Sequence, residues 1–348
     1  MSGSPQHQTV GALERGYVLA TTALLLIPLM IFAAFAVDVG GWYAEADSAQ
    51  RAADAAALAI AQDCALQDLC TPAKAQPEAE RMASLNSDDG QATVNAADIT
   101  FDAATQTVTV IARTKDASDG DGEIDFVLAP TIGEQSEAVT AEASVVWGAV
   151  GGATTVPIII SSCEWNNSTN GGMDYGPAFE TTVYFHSSAD ADLLCKDGPG
   201  FDIDGDGDRT EGGFGFLDSA SSCSAVVLEG DFILGEPGNG NPGSLGCTSD
   251  GLLGSDILIP IFDDITANGG SCSSPSGQNC YHVYGFAAFH VTGFYFSGAG
   301  WKQPNPAPCN GSLRCIRGYF TRFVTLEEVS PGGPGTPDLG VYVVGLSG

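Results

Sequence analysis

The sequence predicts an α+β protein in which an N-terminal transmembrane helix continues into an Ala-rich helix, followed by a small α/β unit and then a mostly-β, disulfide-containing domain. Three observations carry this prediction. An uncharged apolar run occupies Tyr17 to Val37, an alanine-rich stretch follows it directly, and everything after about residue 149 is rich in Gly, Pro, Asn and Ser with short apolar runs between. The division that follows is 1–16 as a cytoplasmic tail, 17–37 as the span, 38–148 as the Ala-rich helix with the α/β unit, and 149–348 as the β domain outside the cytoplasm.

The run YVLATTALLLIPLMIFAAFAV is about twenty residues long, which as a helix covers the roughly 30 Å hydrocarbon layer of a bilayer. Pro28 lies inside it, a residue that membrane helices tolerate. Arg15 precedes the run, while Asp38, Glu45 and Asp47 follow it, so the positive-inside rule leaves the short tail in the cytoplasm. Ala34-Phe35-Ala36 has the small-x-small form of a cleavage site, and a cleaved signal peptide is the competing reading. The run exceeds a usual signal-peptide core, which favours a retained anchor.

Beyond Gly40-Gly41, the stretch WYAEADSAQRAADAAALAIAQD is built from the strongest helix former. Ala46, Ala49, Ala53, Ala56 and Ile60 recur at steps of three and four, a seam of small side chains that another helix can approach closely. The seam serves either packing on the protein's own domain or assembly with a partner.

In ERGYVLATTALLLIPLMIFAAFAVDVGGWYAEADSAQRAADAAALAIA, the residues Glu14-Arg15-Gly16, Pro28, Val37-Asp38-Val39-Gly40 and the run Gln50 to Ala57 together resemble the N-terminal segment of TadG-like proteins of Tad (Flp) pilus loci. The segments GGFGFLD and GFAAFHVTGF resemble the C-terminal region of such proteins. The resemblance implies a membrane-anchored envelope component that works with other Tad/Flp pilus-assembly proteins, without turnover. Related pseudopilins are cut after a glycine and carry a glutamate five residues beyond the cut. Counting from Gly16 that place holds Thr21, which implies a permanently anchored accessory protein and not a processed fibre subunit.

In the α/β unit, Glu78 to Leu85 predicts a short helix, and ITFDAATQTVTVIART a hairpin with strands Ile99–Phe101 and Thr107–Arg113. Ala138 to Trp147 predicts a partner strand, and DASDGDGEID a solvated acidic turn. Gly148-Ala149-Val150-Gly151-Gly152 marks a boundary before the β domain. Candidate strands there are Val156–Ser161, Thr181–Phe185, Ile257–Ile261, Tyr281–Val291, Gly318–Thr325 and Val341–Val344. Both alternating faces of YHVYGFAAFHV are apolar, which predicts a central strand covered on both sides and places His282 and His290 in or beside the core.

The ten cysteines all follow the apolar run, as expected if it carries them into an oxidising space, and no C-x-x-C pair occurs. Short spacings suggest Cys64 with Cys70, Cys272 with Cys280, and Cys309 with Cys315; Cys163 with Cys195 and Cys223 with Cys247 complete one of many possible sets.

The chain has 43 acidic and 12 basic residues, a formal net charge of -31, which repels nucleic acid and excludes it as a partner. The sharpest motif is Asp202-Ile203-Asp204-Gly205-Asp206-Gly207-Asp208, with carboxylates at the first, third and fifth places of an EF-hand loop and glycine at the sixth. Asp208 offers a carbonyl and Thr210 the next ligand, but Gly213 stands where a bidentate glutamate belongs, with Glu211 or Asp218 as substitutes. A structural calcium ion is therefore expected at Asp202, Asp204, Asp206, Asp208 and Thr210. No G-x-S-x-G, H-E-x-x-H or G-x-x-x-x-G-K-[ST] motif occurs, and four histidines leave little material for acid–base catalysis. The other functions left open are a calcium-dependent surface adhesin or secreted binding protein, and a secreted hydrolase on an unfamiliar β fold. The sequons at Asn167-Ser168-Thr169 and Asn310-Gly311-Ser312 read as coincidence.

Overall fold

The computed structural model describes residues 10–67, 70–114, 123–125, 136–185, 195, 202–205, 212–218, 223–236, 246–266, 272, 278–296, 301–311, 313–325 and 329–347. Helix α1, Val10–Gln67, carries the apolar run and the alanine-rich stretch as one helix of 58 residues, roughly 87 Å long, and passes through Pro28 and Gly40-Gly41 without ending. Helix α2, Pro72–Asn86, starts on a proline placed where a helix has no intrahelical use for the N–H.

The strands are β1 Ile99–Asp102, β2 Thr107–Arg113, β3 Glu123–Asp125, β4 Ser136–Ala138, β5 Thr140–Thr155, β6 Ile158–Ser161, β7 Thr181–Tyr184, β8 Phe214–Phe216, β9 Ala225–Leu228, β10 Phe232–Leu234, β11 Asp256–Thr266, β12 Cys280–Tyr295, β13 Lys302–Gln303, β14 Cys315–Thr321, β15 Phe323–Thr325, β16 Val329–Pro331 and β17 Val341–Leu346. They form two large sheets. The first runs β1-β2-β5-β17-β15, with β16 and β9 on the far half of β5; the second runs β7-β14-β12-β11-β6-β8, with β10 and β13 added to β12. β3 and β4 pair with each other, so the end of the acidic segment expected as a turn is a strand at Glu123–Asp125.

Three cores stack between these layers. Ala52, Ala53, Ala56, Ala57, Ile60 and Ala61 of α1 and Ala75, Ala79 and Ala83 of α2 pack on Val108, Val110, Val145 and Trp147 of the first sheet. The alanine seam therefore serves its own domain. Val150, Ala153, Val341 and Val343 face Tyr281, Val283, Phe286 and Ala288 of the second sheet. Ala287, Phe289, Val291 and Phe294 look the other way, towards Trp165, Trp301 and Leu339. β12 is thus covered on both faces, which is why both of its alternating sets are apolar.

Two features take a form the sequence did not show. The glycine run at 148–152, read as a boundary, does not interrupt the strand but forms the middle of β5, whose first half pairs with β2 and β17 and whose second half pairs with β9 and β16. A helix also lies where none was expected: α3, Ser162–Thr169. Its residues are poor helix formers, yet the Ser161 hydroxyl accepts from the N–H groups of Cys163 and Glu164, and Asn170 closes the other end at φ 52°. The N-terminal cap, visible as Ser-x-x-Glu, and the Asn170 cap at the other end outweigh low propensity here.

Candidate functional site

Two features stand apart from the packed body. The first is the exposed half of α1. Leu19, Leu24 and Phe32 are 76%, 73% and 75% exposed, whereas Ala52 and Ala56 further along the same helix are fully buried. The helix is long and apolar enough to cross a membrane. The Thr21 hydroxyl donates to the Val18 carbonyl at 3.0 Å, which satisfies that polar group within the apolar run.

Between this half and the body lies a stretch that touches nothing at Gly40 and Gly41, where an added Cβ meets no atom within 4 Å. Trp42 and Tyr43 meet edge to face, centroids 5.3 Å apart, and rings of this kind favour the boundary between lipid and water. The first buried residue of this half is Ser48, about 16 Å along the helix from Val37. There the Asp88 N–H donates to the Ser48 hydroxyl at 3.0 Å, and Arg51 bridges to Asp88 at 2.7 Å and to Asp47 at 3.5 Å. Burial, reinforced by the charges of Asp89 and Asp88, raises the Glu45 carboxyl above its ordinary range.

The second feature surrounds the start of the acidic motif. Asp202 Oδ1 accepts the Gly205 N–H at 2.6 Å, closing a turn in which Gly205 holds φ +80°, a conformation that suits glycine. Ile203 packs against the core and anchors this turn. Asp263, on β11, is nearly buried, and its Oδ1 lies 2.6 Å from His282 Nδ1 on β12. Burial raises the Asp263 carboxyl, the His282 contact lowers it, and the negative charge of Asp204 raises it further. The same Asp204 and Asp263 charges add to burial in raising the Tyr284 phenol. The fold thus brings Asp202, Asp204, Asp263, His282 and Tyr284 into one neighbourhood. Asp206, Asp208 and Thr210 lie outside the described residues. Among the described residues no group of three or more His, Cys, Asp or Glu side chains is arranged to hold a metal.

Asp263 and His282 were missed as neighbours of the motif because they lie far along the chain from it. The only signal was an acid and a histidine on consecutive strands. Counting by two places His282 and His290 on one face of β12, yet Val283 and Phe289 belong to opposite cores. The register slips near Gly285, where Ile261 pairs with Gly285 and Phe262 with Val283, and this turns His282 to the other side. His290 instead pairs with Asp256 at 2.9 Å and stacks on Tyr319.

The cysteines form five bridges, Cys64–Cys70, Cys163–Cys195, Cys223–Cys247, Cys272–Cys280 and Cys309–Cys315, each to the next cysteine along the chain. Of the sequons, Asn167-Ser168-Thr169 lies across the end of α3 with Thr169 fully buried and its hydroxyl donating to the Trp165 carbonyl, while Ser312 of the other lies outside the described residues.

Comparison with known proteins places a relationship on the first feature alone. Residues 16–63 match the family described as putative Flp pilus-assembly TadE/G-like, the segment that already bears the resemblance in sequence. No curated protein and no solved structure matches the chain significantly.

Proposed function

We propose, from the TadE/G-like segment, that this chain is a non-enzymatic, membrane-anchored envelope component of a Tad/Flp pilus-assembly system. The observation that carries the reading is the coincidence of residues 16–63 with helix α1, one half of which is apolar and exposed while the other half forms the core of the body. Residues 17–37 remain as a single-pass anchor, the short N-terminal tail is cytoplasmic, and the disulfide-bonded body is extracytoplasmic. Its partners are membrane lipid and other Tad/Flp pilus-assembly proteins. The net charge of -31 argues against nucleic acid.

The test is a membrane-topology experiment on the native gene carrying tags at both ends. Both tags should remain in the alkali-resistant membrane fraction on one polypeptide, with only the C-terminal tag open to protease outside the cytoplasmic membrane. Loss of the N-terminal tag from the mature protein would establish cleavage instead, and the new N-terminus would tell a cut at Ala34-Phe35-Ala36 from one after Gly16. Deletion of the gene should reduce surface pili, and unchanged piliation would remove the pilus assignment.

The turn at Asp202–Gly205 supports a second reading, a calcium-dependent surface adhesin. Asp204 and Asp263 repel each other, and a cation among the carboxylates relieves such repulsion. With calcium bound, Asp202, Asp204, Asp206, Asp208 and Thr210 would hold it as a structural ion. Millimolar calcium should then raise the thermal stability of the intact protein, and Asp202→Asn with Asp204→Asn should remove that gain. Equal melting temperatures with and without calcium would dispose of the ion.

A further inference from the structure

Arginine 314 is out of keeping with the rest of this molecule. The chain has far more acids than bases, and the other arginines with described side chains find oxygen partners: Arg51 with Asp47 and Asp88, Arg81 with Glu78, Arg113 with Asp98, Arg317 with Glu180, and Arg322 with the Gly172 carbonyl. Arg314 has no such acid among the described residues. Its Nη1 is sealed from solvent with no hydrogen-bond partner, and its guanidinium lies over the Phe185 ring, 5.5 Å from the centroid. Burial lowers its pKa below the ordinary arginine value. An uncompensated half-buried cation is costly, and a cation–π contact offsets only part of that cost.

The backbone holds this side chain in place. The Arg314 carbonyl accepts the Phe185 N–H at 3.0 Å, and the next residue, Cys315, is bridged to Cys309. Phe185 itself is buried against Phe214 and Phe216, so the wall behind the guanidinium is aromatic and rigid. The residue as a whole keeps partial exposure, and with Nη1 sealed the edge that could meet an incoming group is that of Nε and Nη2.

We propose that Arg314 is a binding site for a carboxylate supplied from outside the chain. A guanidinium edge presents two parallel N–H donors that match the two oxygens of a carboxylate. The overall charge of -31 repels a dianion such as phosphate more strongly than a monoanion, and the phenyl wall suits a small planar group. The carboxylate arrives either on an acidic side chain of another protein or as a free small acid. The inference does not rest on the pilus assignment.

The experiment uses the full-length protein in detergent micelles and follows thermal unfolding in sodium acetate and in sodium chloride at equal ionic strength. Acetate should raise the melting temperature by a few degrees over chloride in the wild type. The increment should vanish in Arg314→Gln and shrink in Arg314→Lys, which keeps the charge without the fork. A short glutamate-containing peptide that protects at lower concentration than acetate identifies a protein-borne carboxylate, whereas equal potency identifies a free acid; both support the site. The proposal is overturned if acetate and chloride act alike on the wild type, as they would if one of the chain's own carboxylates filled the site. It is equally overturned if Arg314→Gln retains the acetate increment. Should Arg314→Gln fail to fold, the comparison of wild type with Arg314→Lys decides.

Discussion

Asp98 sits nearly buried directly before β1, and its Oδ1 takes a hydrogen bond from Arg113 Nη2 at 2.7 Å. That bond, helped by Asn95, holds the Asp98 carboxyl below its ordinary range. A depressed carboxylate stabilises the fold above its unfolded pKa of about 3.9 and loses that contribution as pH falls through the folded value. Arg113→Ala should therefore lower stability at pH 7 by about 1 kcal/mol, since the arginine is half exposed and water screens the pair. The difference should close in acid below about pH 4, as measured by denaturant unfolding across pH. At this scale the acidic motif was readable as DxDxDG, because its residue types and spacing are local. Its proximity to Asp263 and His282 was not, because strand pairing brings those residues to it.

Among the elements, β5 shows how composition misleads. Gly148, Gly151 and Gly152 read as a boundary before the β domain, because glycine clusters usually mark loops. In the structure a Cβ on Gly151 would lie 2.5 Å from Gly332 Cα, so glycine is required by the close passage of the chain beside β16. Gly151→Ala should cost roughly 1–3 kcal/mol by forcing the backbones apart. Gly40→Ala meets nothing and should strengthen α1 by up to about 1 kcal/mol. Paired melting curves of the two variants check this contrast, and similar losses at both sites would contradict it. The second half of α2, the β1–β2 hairpin and the two-faced strand β12 were legible because each has a local period or turn, whereas the first turns of α2, from Pro72, were not read as helix. The short strands β8, β9, β10, β13 and β16 were not legible, since two to four residues carry too little pattern.

For the whole molecule, the decisive element is the last one. β17 lies between β5 and β15, pairing with Val145 to Ala149, and so completes the sheet on which α1 and α2 rest. Val344 enters the core with the alanine helices, while Val341 and Val343 enter the core against the second sheet. One strand at the C-terminus thus joins both bodies. Deletion of residues 341–348 should destabilise the α/β unit as well as the β domain, lost together in one transition. Hydrogen exchange that left α1 and α2 protected after the deletion would show the α/β unit to be independent.

What the chain determines locally is its class and the long apolar helix near its N-terminus. The uncharged run, the alanine periodicity, the even cysteine count and the acidic surface follow from residue types at short spacing, and short spacing is set by helix and strand geometry alone. Only the tertiary structure decided that the alanine seam packs inward, that the glycine run is a strand, and that His282 faces away from His290. Those outcomes depend on contacts between residues far apart in sequence, where the space left by a distant backbone selects the side chain, and no local period records it.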